Sequence, residues 1–242
     1  LVGPNDVLTA SHVLYSAANG GAAEAVRVHP GADVASEPSD FLQGRAIDYF
    51  PVDPDGDNRL GAFEVPYDYA LVSLDERLPE SLGRFRLDPD LYEAGEPLGL
   101  VRQSGYSGDV LAAYNAAYDP DALAVQGFST GVLAQDPFAP IWDIRDLAVE
   151  AGDSGSPVWV EEGGRAYAVG VVSTEPWAVP IDDQVSSTLR RWIADNDHLI
   201  EGSGTGALAP EPGADPVAQE HLDLVEAVAV RERPCDALAV PL

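Results

Sequence analysis

The chain has 242 residues, 45% of them hydrophobic and 8% aromatic, with 41 acidic residues against 13 basic ones. That length suits one large or two small domains with a real core, and the apolar fraction argues against wholesale disorder. A net charge of −28 repels phosphate backbones and anionic lipid heads, so nucleic acid and membrane surfaces are poor partners. No run approaches the ~18 apolar residues of a membrane-spanning helix, and the single Cys235 cannot close an intrachain disulfide.

The chain opens on Leu1-Val2-Gly3-Pro4-Asn5, which reads as a strand running into a turn. It contains no Met, which predicts a processed or excised piece, with any secretory signal lost upstream. Up to about residue 200 the pattern is short apolar runs punctuated by Gly, Pro, Asn and Asp. Examples are Val7-Leu8-Thr9-Ala10, Ala25-Val26-Arg27-Val28, Tyr69-Ala70-Leu71-Val72-Ser73-Leu74, Pro97-Leu98-Gly99-Leu100-Val101 and Ala168-Val169-Gly170-Val171-Val172. Many short strands with turn signals between them predict an all-β barrel or sandwich. One helix is expected over Asp183–Asn196, where Val185, Leu189, Trp192 and Ile193 recur at helical spacing behind an Asp182 or Asp183 N-cap. Residues 201–217 are rich in Gly, Ala and Pro and read as a linker. Residues 218–242 form a tail too short for its own core, with a short helix expected over 218–230.

Chemistry concentrates in three segments. In Gly152-Asp153-Ser154-Gly155-Ser156-Pro157 a serine sits between glycines ahead of a strand, which sets its hydroxyl on a tight turn and lets backbone N–H groups converge on a developing negative charge. His12 ends the apolar run Val7 to Ser11, whereas His29, His198 and His221 lie in turn-like or terminal contexts. Asp68 opens the apolar strand Tyr69–Leu74; Asp48 and Asp75 are competing carboxylates, but neither leads directly into such a run.

Together, in the order His, Asp, Ser, these segments resemble the chymotrypsin-like serine protease family. Within it the look is nearest to bacterial glutamyl-endopeptidase-like secreted proteases, through Gly105-Tyr106-Ser107-Gly108-Asp109 and Gly131-Val132-Leu133. The resemblance spans residues 1–200, which would form the trypsin-like domain. It implies an all-β fold, a double six-stranded β-barrel of the chymotrypsin type with a C-terminal α-helix, the first barrel incomplete at the N-terminus. It implies a serine endopeptidase that needs no cofactor for its chemistry, acts on protein or peptide substrates, and is secreted or periplasmic in a bacterium. His12, Asp68 and Ser154 would be catalytic, and the N–H groups of Gly152 and Ser154 would form an oxyanion hole. Asp153 would order the loop that carries them.

The same resemblance places the specificity pocket at Ala148, Val149, Val172, Ser173 and Glu175. Val172 stands where glutamyl endopeptidases read an acidic side chain with a histidine, and Ala148 stands where trypsin-like enzymes carry an aspartate. A small or apolar residue before the cleaved bond is therefore expected. The alternative is a catalytically silent homologue that serves as a binding module.

Asp53, Asp55, Asp57, Arg59 and Glu64 have the spacing of a calcium loop, with oxygens at its first, third, fifth and twelfth places and Asn58 where glycine is usual. This predicts a structural Ca²⁺ site; the competing reading is an acidic turn in an acidic protein.

Overall fold

A computed structural model of the chain describes residues 1–29, 41–53, 59–91, 99–117, 126–136 and 138–201. The expected linker and tail after residue 201 lie outside these residues. The chain runs through β1 (Asp6–Thr9), a one-turn helix α1 (Ser11–Leu14), the hairpin β2 (Tyr15–Ser16) and β3 (Gly21–Ala22), then β4 (Arg27–Val28), β5 (Leu42–Tyr49) and β6 (Ala70–Leu74). Strands β1, β6, β5 and β4 pair in that order as an antiparallel sheet.

A second set follows: β7 (Leu100–Gly105), the helix α2 (Gly108–Ala117), β8 (Gly127–Val132), β9 (Ala134–Gln135), β10 (Trp142–Asp143), β11 (Pro157–Glu162), β12 (Arg165–Thr174) and β13 (Trp177–Pro180). These strands form a seven-stranded sheet in the order β8-β7-β11-β12-β13-β10-β9. The helices α3 (Asp183–Asn196) and α4 (His198–Glu201) close the described chain. The two curled sheets make the double-barrel architecture that the resemblance implied. Among the described residues the strands divide as a four-stranded sheet, a two-stranded hairpin and a seven-stranded sheet. No helix among them is long and apolar enough to cross a membrane.

Adjacent apolar residues in β1 (Val7-Leu8) and β6 (Ala70-Leu71-Val72) follow from burial on both faces. Alternate side chains point opposite ways along a strand. Val7, Ala70, Val72 and Leu74 accordingly enter the first barrel's core with Leu1, Leu14, Val26 and Val28. Leu8 and Leu71 point the other way, into a core shared with Ile141, Val171, Val179 and Ile181 of the second barrel and Val185, Leu189 and Trp192 of α3. Val101, Trp142, Val158 and Val169 build the second barrel's own core. The terminal helix is thus a clamp on the seam between barrels. Its N-cap is Asp182, whose carboxylate accepts the Val185 N–H at 2.7 Å. The sequence pattern did not announce α2, which starts where the Ser107 hydroxyl accepts the Val110 N–H at 3.2 Å.

Candidate active site

Antiparallel pairing places Thr9 opposite Ala70, so the end of β1 and the start of β6 lie side by side. Three residues past Thr9, α1 carries His12; two residues before Ala70, a single 3₁₀ turn (Val65–Tyr67) delivers Asp68. Asp68 is wholly buried, whereas the His12 side chain is 29% exposed. The carboxylate holds the histidine twice: Oδ1 accepts the His12 backbone N–H at 2.8 Å, and Oδ2 lies 2.6 Å from Nδ1. Burial lowers the basicity of the imidazole, but the Asp68 charge and hydrogen bond outweigh it and hold His12 above its ordinary value.

Asp68 Oδ2 also accepts the hydroxyl of Ser173, at 2.5 Å across a sequence separation of 105 residues. Ser173 is wholly buried on β12, and its carbonyl accepts the Ser154 hydroxyl at 3.3 Å. One residue of the second barrel therefore touches both the carboxylate of the first barrel and the serine. His12, Asp68, Ser173 and Ser154 form a continuous line of contacts.

The Ser154 loop is shaped by glycines at φ of 105° (Gly152) and 84° (Gly155), the left-handed region that other residues resist. A Cβ on Gly155 would lie 2.3 Å from the Thr9 Oγ1 and 2.9 Å from the Ala10 nitrogen, so this loop packs directly on the segment leading to His12. Within the loop, the N–H groups of Asp153, Gly155 and Ser156 donate to the carbonyls of Glu150, Val172 and Asp153. Those of Gly152 and Ser154 meet no acceptor among the described residues. Internal bonding thus leaves two alternate N–H donors of this loop, one of them on Ser154 itself, without an acceptor among the described residues. Asp153 is buried, and its Oδ2 accepts the Glu150 N–H at 3.0 Å. Burial pushes its carboxyl up, against the pull of that N–H and of the Gln103 amide.

The expected pocket residues divide. Val149 and Val172 are buried in the second barrel's core. Ala148 and Glu175 are exposed, and Ser173 directs its hydroxyl to Asp68. Desolvation, the neighbouring Asp109 and then the Asp153 and Glu175 charges push the Glu150 carboxyl up, so the rim beside Ser154 is crowded with acids. Of the calcium loop, Asp55 and Asp57 lie outside the described residues. Asp53 is buried with φ of 58°, and the Glu64 carboxylate accepts the Gly61 N–H at 2.6 Å within its own turn. No group of three or more metal-ligating side chains is assembled among the described residues. The hydroxyl role of Ser173 had no signal in the sequence beyond a small polar residue within an apolar run.

No protein-family profile matches the chain, and no curated protein does. Solved structures similar to it include a Glu endopeptidase, at 17% identity and TM-score 0.59 over 80% of this chain and 83% of that one. Protease Anisep from Arthrobacter nicotinovorans is similar at 17% identity and TM-score 0.56, covering 79% and 84%. The inactivated protease paralogue S-D1 of the scabies mite is similar at 14% identity and TM-score 0.53, covering 80% and 85%. The chain therefore has the chymotrypsin-like serine protease fold.

Proposed function

We propose that the chain is a serine endopeptidase that works through an acyl-enzyme, with Ser154 as nucleophile, His12 as general base and Asp68 as the carboxylate that orients it. The observation that carries this reading is the line His12–Asp68–Ser173–Ser154, with two unengaged N–H donors beside the serine. A peptide carbonyl binds with its oxygen at the Gly152 and Ser154 N–H groups. The Ser154 hydroxyl turns from the Ser173 carbonyl to the His12 Nε2, gives up its proton there, and Oγ bonds to the carbonyl carbon. Asp68 fixes Nδ1 as the protonated nitrogen and stabilises the imidazolium, and the Ser173 hydroxyl holds the Asp68 carboxylate in its orientation. Each N–H donor to the oxyanion lowers the barrier by about 3 kcal/mol. His12 then protonates the departing amine as the carbon–nitrogen bond breaks. Water, deprotonated by the same imidazole, attacks the acyl carbon and releases the acid and the free serine.

Hydrolysis of a casein or peptide-library substrate tests the proposal. Ser154→Ala and Asp68→Asn are each expected to lower kcat by about 10⁴ or more with the fold retained. The second reading, a silent homologue that binds without cleaving, is favoured by one observation: Ser154 Oγ donates to a backbone carbonyl and not to the imidazole. On that reading the wild type and Ser154→Ala release peptide equally slowly.

A further inference from the structure

The Ser11 side chain is wholly buried and bonded in two directions. Its hydroxyl donates to the Tyr69 carbonyl at 2.5 Å and accepts the Phe50 N–H at 3.3 Å. Ser11 directly precedes His12, and Tyr69 directly follows Asp68. The bond between them therefore runs alongside the two bonds that join His12 to Asp68. A lone pair of contacts at one point lets two loops pivot about it. A further bond one residue away on each chain fixes both their separation and their tilt.

The far side of this clip is rigid. The Tyr69 ring packs at 5.0 Å from Phe50 and 5.8 Å from Trp192, and Phe50 lies 5.7 Å from Trp192. The three rings belong to the core shared by the barrels and α3. Ser11 thus ties the histidine's turn to this aromatic cluster, through Phe50 just past the end of β5 and Tyr69 just before the start of β6.

We propose that Ser11 is a positioning residue: its hydroxyl sets the spacing of the His12 turn against the Asp68 turn, and so how firmly Asp68 holds the imidazole. Its relevance to turnover rests on the protease reading above. Ser11 touches neither reacting group, unlike Ser173, whose hydroxyl bonds Asp68 itself.

The test compares wild type with Ser11→Ala and with Ser11→Cys, which nearly keeps the volume but exchanges the hydroxyl for a weak donor. The first readout is the His12 ring titration followed by NMR, which needs no turnover. Asp68 raises the His12 pKa, so loosening its hold must move the titration to lower pH in both variants. The second readout is steady-state kinetics. The expected result is a fall in kcat of about tenfold, the size one hydrogen bond can carry, with KM little changed and the acid limb of kcat/KM moved to lower pH. A variant that titrates and turns over like the wild type, with only a lower urea midpoint, overturns the proposal. If the wild type itself does not hydrolyse peptides, the protease reading fails, while the NMR comparison still decides whether Ser11 sets the His12–Asp68 spacing. If Ser11→Ala does not fold, the Ser11→Cys titration decides it.

Discussion

Gly155→Ala probes a place where the serine loop of the second barrel rests on the segment leading to His12 in the first. The new methyl would sit 2.3 Å from the Thr9 Oγ1, 2.9 Å from the Ala10 nitrogen and 3.2 Å from the Thr9 Cα. The Thr9 hydroxyl can rotate aside, but the backbone nitrogen yields only if the two loops separate. Overpacking of this kind costs about 1–3 kcal/mol, and holding alanine at φ of 84° adds about 1–2 kcal/mol. The sum, about 2–5 kcal/mol, is a large fraction of the ~5–15 kcal/mol that keeps a domain folded. Gly164→Ala is the control: φ is 73° there and nothing lies within 4 Å of the added carbon, so only the backbone cost of about 1–2 kcal/mol remains. Urea unfolding of both variants, followed by tryptophan fluorescence, measures the difference. Hydrolysis by Gly155→Ala should also fall by about 10²-fold, because the displaced contact separates Ser154 from His12. Equal destabilisation by the two substitutions would refute the claim that this loop is packed on the His12 segment.

Two further outcomes follow from the electrostatics. Asp6 is wholly buried and Asp48 partly so, and burial pushes each carboxyl from 3.8 to about 6, against the bonds from Ser73 and Asn196 respectively. The folded state therefore binds more protons than the unfolded one between these values. The stabilisation is full below pH 3.8 and is lost as pH rises through about 6, so for these groups urea midpoints should fall from pH 4 to pH 7. For Asp6 the change amounts to at most about 3 kcal/mol, and Asp6→Asn should flatten the slope; an unchanged slope counts against it. The acids that crowd Glu150 bear on specificity. A chromogenic peptide library should show a small or apolar residue favoured before the scissile bond and glutamate disfavoured by repulsion from Glu150 and Glu175. A clear preference for Glu, Arg or Lys would contradict this.

What could be read in advance was whatever the chain encodes locally. The β6 run after Asp68 and the β12 run formed strands because both faces of each are buried, and the periodic face behind Asp182 formed α3 over the expected residues. Positive φ at Gly152 and Gly155 was implicit in a serine set between glycines. The resemblance paired His12 with Asp68, but the contacts of Ser173 and Ser11 were not legible, because they link residues far apart that share no pattern. Ser173 reaches Asp68 across 105 residues, and Ser11 reaches Tyr69 across 58. Val149 and Val172 were expected in the pocket from the resemblance, and both lie buried in the second barrel's core, Val172 on β12 and Val149 in the segment ahead of β11. The helix α2 has no sequence signature because its alanine-rich stretch carries no amphipathic period and its start depends on a Ser107 cap. The one-turn α1 has no helical signal of its own, being four residues long with no side-chain cap at Ala10.

The central claim is that Ser154 is a nucleophile activated by His12, and intact-protein mass spectrometry after incubation with a fluorophosphonate tests it most directly. The account predicts one phosphonyl adduct per chain, mapped to the peptide bearing Ser154, absent in Ser154→Ala and formed far more slowly in His12→Ala. An unmodified wild-type mass, or an adduct that persists in Ser154→Ala, would contradict it.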